Sequence, residues 1–190
     1  MGAMTSQASI PTGRPFTVAD LEAMPDDGNR YELIDGTLLV SPAPGWGHQE
    51  MGLSLYVLLR ERCPREFRAL AAPFAVQTSF DSEVQPDVLV ARYIDLTEKN
   101  LPVAPVLAAE VLSRSTSLVD RNLKKAHYER IGVPHYWILD SAGPGALTVF
   151  VNEGGGYAQV TRVEGDEAYE AREPFPVTVV PARLLDGLRP

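Results

Sequence analysis

The sequence predicts an α/β (α+β) fold in which a mixed central β-sheet is flanked by helices, with an N-terminal hairpin and a C-terminal β extension. Three observations predict it. Two strand-like runs, 31–34 and 37–40, flank Asp35-Gly36, one of the strongest short-range hairpin signals. Residues 106–112 are apolar except for Glu110, and together with the helical stretch and strand that follow, up to Asp140, they form a strand-helix-strand crossover. Beyond it, 146–151 and 157–163 face each other across Gly154-Gly155-Gly156.

The elements follow in chain order. Residues 16–24 carry an N-cap candidate in Thr17, early acidic residues and apolar positions three or four apart, which predicts a short helix ended by Pro25. After the 31–40 hairpin, a loop rich in Pro and Gly (42–47) leads to a helix over 49–62, with Met51, Leu55, Leu58 and Leu59 along one side and His48 at its entrance. Runs 72–78 and 84–91 are β-type, joined by a polar turn at 79–83. Pro86 inside the second run marks an edge, a bulge or the start of pairing. The unalternating run at 106–112 suits a strand covered on both faces. Ser113, Ser115, Thr116 and Ser117 offer caps for a helix over 117–131, which Gly132-Val133-Pro134 stops. A strand over 135–140 follows, and a last one is expected at 177–180.

With 190 residues the chain suits one domain, 16–190, preceded by a flexible leader or expression remnant, 1–15. An apolar content of 45% with 22% charged residues is ordinary for a soluble protein. No apolar run approaches the ~20 residues that span a bilayer, and the first residues lack the pattern of a secretory signal. The expected setting is therefore cytoplasmic, away from membranes. The single Cys63 excludes an internal disulfide framework and a cysteine-based zinc site. A net charge of −8 argues against a surface coated with basic residues, yet Arg114, Arg121, Lys124, Lys125 and Arg130 gather around one helix and Arg60, Arg62, Arg65 and Arg68 near the end of another. Local charge, not the total, attracts phosphates.

Asp87 and Glu110 are the residues that ask for chemistry. Each sits in an apolar, strand-like run, where a charge is costly to bury unless something binds it. Level on neighbouring strands, the two carboxylates would repel unless a cation or a shared proton intervened. Oxygen ligands of this kind select Mg²⁺ or Mn²⁺. Lys124 lies one helical turn after Asp120 and one before Tyr128, so the three share a face. The plainer alternative stays open at this point: the carboxylates could be solvent-facing, and Asp120 with Lys124 an exposed ion pair worth roughly 0.3–0.5 kcal/mol.

Pro86-Asp87, Glu110-Val111-Leu112-Ser113, Asp120 with Lys124 and Tyr128, and the run from Gly132 to Asp140 together resemble the Uma-type (Uma-two) restriction endonuclease family, within the PD-(D/E)xK nuclease superfamily. The likeness extends upstream through the hairpin and His48. It implies a restriction-endonuclease-like core and Mg²⁺-dependent hydrolysis of phosphodiesters in DNA by an endonuclease, with Mn²⁺ able to substitute and a homodimer as the expected assembly. Carried over by residue, Asp87, Glu110 and Lys124 would be catalytic, and Asp87, Glu110 and the Val111 carbonyl would hold the metal. Glu32, His48, Asp120 and Tyr128 would be accessory, and Arg114, Arg121 and Lys125 phosphate-binding. The chain has Leu112 where the superfamily's common pattern places its lysine, and in the Uma-type pattern Lys124 supplies it from the following helix. Arg114 stands where the family often has proline and His135 where an acidic residue is common. A catalytically silent module that binds nucleic acid or a protein partner is the competing reading. Tyr128, Tyr136 and Trp137 are expected in the core or its wall, and His127 and His135 at the surface or a pocket edge.

Overall fold

The structure, a computed structural model, describes residues 13–113 and 119–188, without the side chains of 119–121 and 188. The expected role of Arg114, and those of the Asp120 and Arg121 side chains, lie outside the described residues.

Residues Val18–Leu21 form α1, a single turn whose start is fixed as the spacing predicts: the Thr17 amide and hydroxyl both donate to Asp20 at 2.8 Å. Strands β1 (Arg30–Ile34) and β2 (Thr37–Ser41) form the expected hairpin. Its two-residue turn needs positive φ at both positions, and Asp35 and Gly36 supply φ of 50° and 72°. A Cβ on Gly36 would lie 2.5 Å from the Pro15 Cβ, because Phe16 docks its amide on the Gly36 carbonyl. Gly36→Ala should therefore lower stability by about 1–3 kcal/mol, read as a fall in urea midpoint with an unchanged slope.

Helix α2 (Trp46–Arg62) begins three residues before the expected start. Strand β3 (Phe67–Ala71) follows, an element the periodicity does not announce, then β4 (Ala75–Ser79), β5 (Ser82–Val84) and β6 (Val88–Arg92). The run expected at 84–91 is thus two strands in two different sheets, divided at Gln85-Pro86-Asp87. Proline cannot donate to a ladder, so pairing breaks there and the chain changes layer.

After β7 (Asn100–Leu101) and β8 (Leu107–Leu112), the described part of the helix expected at 117–131 is helical throughout 119–130, as wide π-type turns over Val119–Lys124 that run into α3 (Lys125–Arg130). Gly132, at φ 81°, turns the chain out of α3 into β9 (His135–Asp140). Strands β10 (Ala146–Asn152) and β11 (Tyr157–Glu164) pair as expected, and β12 (Tyr169–Ala171) pairs with β13 (Val177–Val179) before the final 3₁₀ turns of Pro181–Leu188.

These strands make three sheets, β2-β1-β5-β4-β7, β11-β10-β9-β8-β6-β3 and the β12-β13 pair, of which the second is the expected mixed central sheet. The six-stranded sheet is central. Its β8 and β9 run parallel, joined by the crossover through α3, and its other pairs are antiparallel. Alternation along its strands sends Val88, Val90, Leu107, Ala109, Val111, Trp137 and Leu139 into a core with Met51, Leu55 and Leu59 of α2. The intervening Leu89, Ala91, Ala108, Leu112, Tyr136 and Ile138 point the other way, onto Ile34, Val76 and Val84 of the five-stranded sheet and Tyr128 of α3. By that alternation Glu110 belongs to the second face. All six residues of β8 are buried, as a strand covered on both sides requires.

A carboxylate-lysine cavity as the candidate functional site

The register places Val88 opposite Ala109 and Leu89 opposite Ala108, so the next position along brings Asp87 level with Glu110. Both are buried, with 8% and 1% of their surface exposed, which removes the solvent-facing alternative. Around them a polar cavity of about 110 Å³ is lined by Arg30, Glu32, His48, Asp87, Glu110, Ser113 and Lys124, together with Ser41 at the end of β2 and residues 42–45 of the loop that leads into α2.

Asp87 is held from three sides. Its Oδ1 accepts from the Arg30 guanidinium at 2.9 Å, and its Oδ2 lies 3.0 Å from His48 Nε2 and accepts from the Val111 amide at 2.9 Å. Burial pushes its pKa up, but His48, Arg30 and Lys124 outweigh burial and hold it well below the usual carboxylate range. Arg30 also donates to the Gln85 carbonyl at 3.0 Å, and the nearby carboxylates raise its pKa in spite of burial, so it stays charged.

Lys124 Nζ lies 2.9 Å from Glu32 Oε2 and 3.1 Å from Glu110 Oε1, and is itself buried. Tyr128, one turn further on, donates its hydroxyl to Glu110 Oε1 at 2.8 Å. Burial raises the Tyr128 pKa first, and Glu110 and Glu32 raise it further, so the phenol remains a donor. The other oxygen of Glu32, Oε1, accepts from the Gln85 amide at 2.7 Å. Glu32, His48, Asp87, Glu110, Lys124 and Tyr128 therefore meet in one place. Lys125 does not join them: its ammonium sits 4.1 Å above the Phe150 ring, and it is absent from the cavity wall. Arg30 is the residue missed in the sequence. The available signal was its position two before Glu32, on the same face of β1.

Tyr128, Tyr136 and Trp137 are fully buried, as expected of core and wall residues. His127, expected at the surface or a pocket edge, is buried beside Tyr128, with its Nδ1 3.0 Å from Arg130 Nη2. Burial, aided by Arg130, lowers its pKa to about 4. The unfolded chain takes up this proton near pH 6.5 and the folded chain near 4, so this contribution to stability is complete above about pH 6.5 and declines as pH falls towards 4. Wild type should lose about 2–3 kcal/mol more than His127→Gln between pH 7.5 and 4.5, measured as the difference between their urea-unfolding free energies at each pH.

Among the described residues, no group of three His, Cys, Asp or Glu side chains is arranged as a metal cage. Mg²⁺ does not need one, since it keeps several waters and binds through one or two carboxylates. The cavity wall carries three carboxylates against one arginine and one lysine. The Val111 amide faces Asp87, and in an extended strand a residue's carbonyl lies along the same edge as its amide. Asp87 and Glu110 are hard-oxygen donors of the kind such an ion takes, and the Val111 carbonyl lies on the strand edge beside Asp87.

The fold has a counterpart among solved structures. A solved structure described as a "putative nuclease belonging to DUF820" from Anabaena variabilis shares it at a TM-score of 0.67 and 17% identity, over 83% of this chain and 89% of that one. The family is set by sequence: the model described as "Putative restriction endonuclease", Uma2, matches residues 18–183, and the chain belongs to that family. No curated protein matches the chain significantly. Among the described residues, no helix is long and apolar enough to cross a membrane.

Proposed function

We propose that the protein is a Mg²⁺-dependent endonuclease that hydrolyses phosphodiester bonds in DNA. One observation carries this reading: Asp87 and Glu110, level on adjacent strands, share a polar cavity with a buried lysine. Membership of a restriction endonuclease family supports nucleic acid as the substrate. Mg²⁺ held by Asp87, Glu110 and the Val111 carbonyl would polarise the phosphoryl group and acidify an attacking water.

The chain's own residues do the rest. Glu32 and Glu110 hold the Lys124 side chain in the cavity, where its ammonium would donate to a phosphoryl oxygen as charge builds there. Tyr128 fixes the orientation of Glu110 through its hydroxyl. Arg30 and His48 hold Asp87 ionised and aimed at the cavity. The buried surroundings strengthen each of these interactions.

The test is cleavage of plasmid and single-stranded DNA in Mg²⁺, in EDTA, and by Glu110→Gln. Wild type should cut in Mg²⁺ alone, and Glu110→Gln should lose at least about 100-fold in rate. Cutting that survives EDTA, or a fully active Glu110→Gln, defeats the proposal.

A further inference from the structure

A second and larger cleft, of about 610 Å³, adjoins the carboxylate-lysine cavity and shares Arg30, Ala43 and Pro44 with it. Its volume lies within the roughly 300–1,000 Å³ usual for small-molecule sites. The lining is unlike that of a phosphate site. Arg30 is the one cation among the lining residues, and it is committed to Asp87 and the Gln85 carbonyl. Glu22, Asp26 and Glu83 put carboxylates on the wall, and Glu22 is paired on the outside with Lys99. Leu21, Met24, Pro25 and Pro73 give apolar surface, while Asn29 and Gln49, both exposed, add amide side chains to the lining.

Apolar walls with a few amides and carboxylates suit a flat, neutral ring that carries amine and carbonyl edges. Asn and Gln pair with the edge of adenine, and a carboxylate accepts from the amine of cytosine. We propose that this cleft receives the nucleobase of a residue flanking the scissile phosphodiester, so that the preferred substrate is a locally unpaired strand. A stacked and paired base cannot enter a cleft without leaving the helix, and the cost is lowest where the strand is already single. This inference rests on the endonuclease reading, since the adjoining cavity is taken to hold the phosphate.

The experiment uses the whole protein and a fluorescent single-stranded DNA heptanucleotide, with one abasic residue walked through successive positions. Binding is followed by anisotropy in Ca²⁺ and cleavage by gel in Mg²⁺. One abasic position should weaken binding about 10-fold. The double variant Asn29→Ala/Gln49→Ala, altered at two exposed residues, should bind the intact oligonucleotide with that same weakened affinity and be indifferent to the abasic residue at that position. Affinity unchanged by an abasic residue anywhere, or a double variant that keeps the wild-type sensitivity, overturns the proposal. Position-dependent binding without cleavage would sink the hydrolytic reading and leave the base subsite standing. Cleavage without abasic sensitivity would do the reverse.

Discussion

Lys124→Ala is expected to abolish DNA cleavage and to destabilise the fold by about 3–5 kcal/mol, the cost of leaving buried charge without its partner. Glu32 and Glu110 both lean on this one ammonium, and both are almost wholly buried. The loss of activity alone would not separate a chemical role from a structural one. A double-mutant cycle isolates the structural part. Lys124→Met combined with Glu110→Gln removes a cation and an anion together, so its stability should recover by more than 1 kcal/mol relative to Lys124→Met alone, while cleavage stays absent. If Lys124→Met cuts DNA at the wild-type rate, Lys124 has no part in the reaction. If the double variant is no more stable than the single one, the buried ion pair is not what holds this corner together.

Asp87→Asn is expected to have the second largest effect, and on a different measurement. Asparagine keeps the shape and still accepts from the Val111 amide, but its amide cannot serve as an anionic metal ligand, and it leaves Arg30 without its counter-charge. Calorimetry with Mn²⁺ should show binding to wild type at about one ion per chain and none measurable for Asp87→Asn, with cleavage in Mg²⁺ reduced by at least about 100-fold. Equal Mn²⁺ affinity in the two proteins would place the metal elsewhere or remove it from the mechanism.

Much of this site was legible in the sequence because its key spacing is local or carried by regular strands. Lys124 and Tyr128 are four apart on one helical face and both reach Glu110. Asp87 and Glu110 were legible as charges inside neighbouring apolar runs; that they stand level followed only once the pairing of Val88 with Ala109 was seen, because a run buried on both faces has no alternation to fix its register. The hairpin at Asp35-Gly36 was legible for a similar reason: two residues dictate the turn. Other features depend on contacts between distant parts of the chain. Arg30 finds Asp87 across 57 positions of sequence, and no periodicity connects them. The passage from β5 to β6 looks like one strand until the five-stranded and six-stranded sheets are seen to claim its two halves. His127 reads as a polar helix residue, and only the packing around α3 shows that it is enclosed.

Glu32 comes from one sheet and Glu110 from another, and a lysine that follows both in the chain joins them. Proteins fold as they are synthesised, N-terminal parts first. A nascent chain therefore displays Glu32 well before Lys124 has left the ribosome, and Glu110, 14 residues ahead of it, about 1–3 s before. On the endonuclease reading, such a chain has no cutting centre to misdirect at neighbouring messenger or chromosome. The capacity to damage a genome would arrive only with the docking of the two layers, and a cell that degrades incompletely folded copies would thereby also dispose of them while they are still harmless.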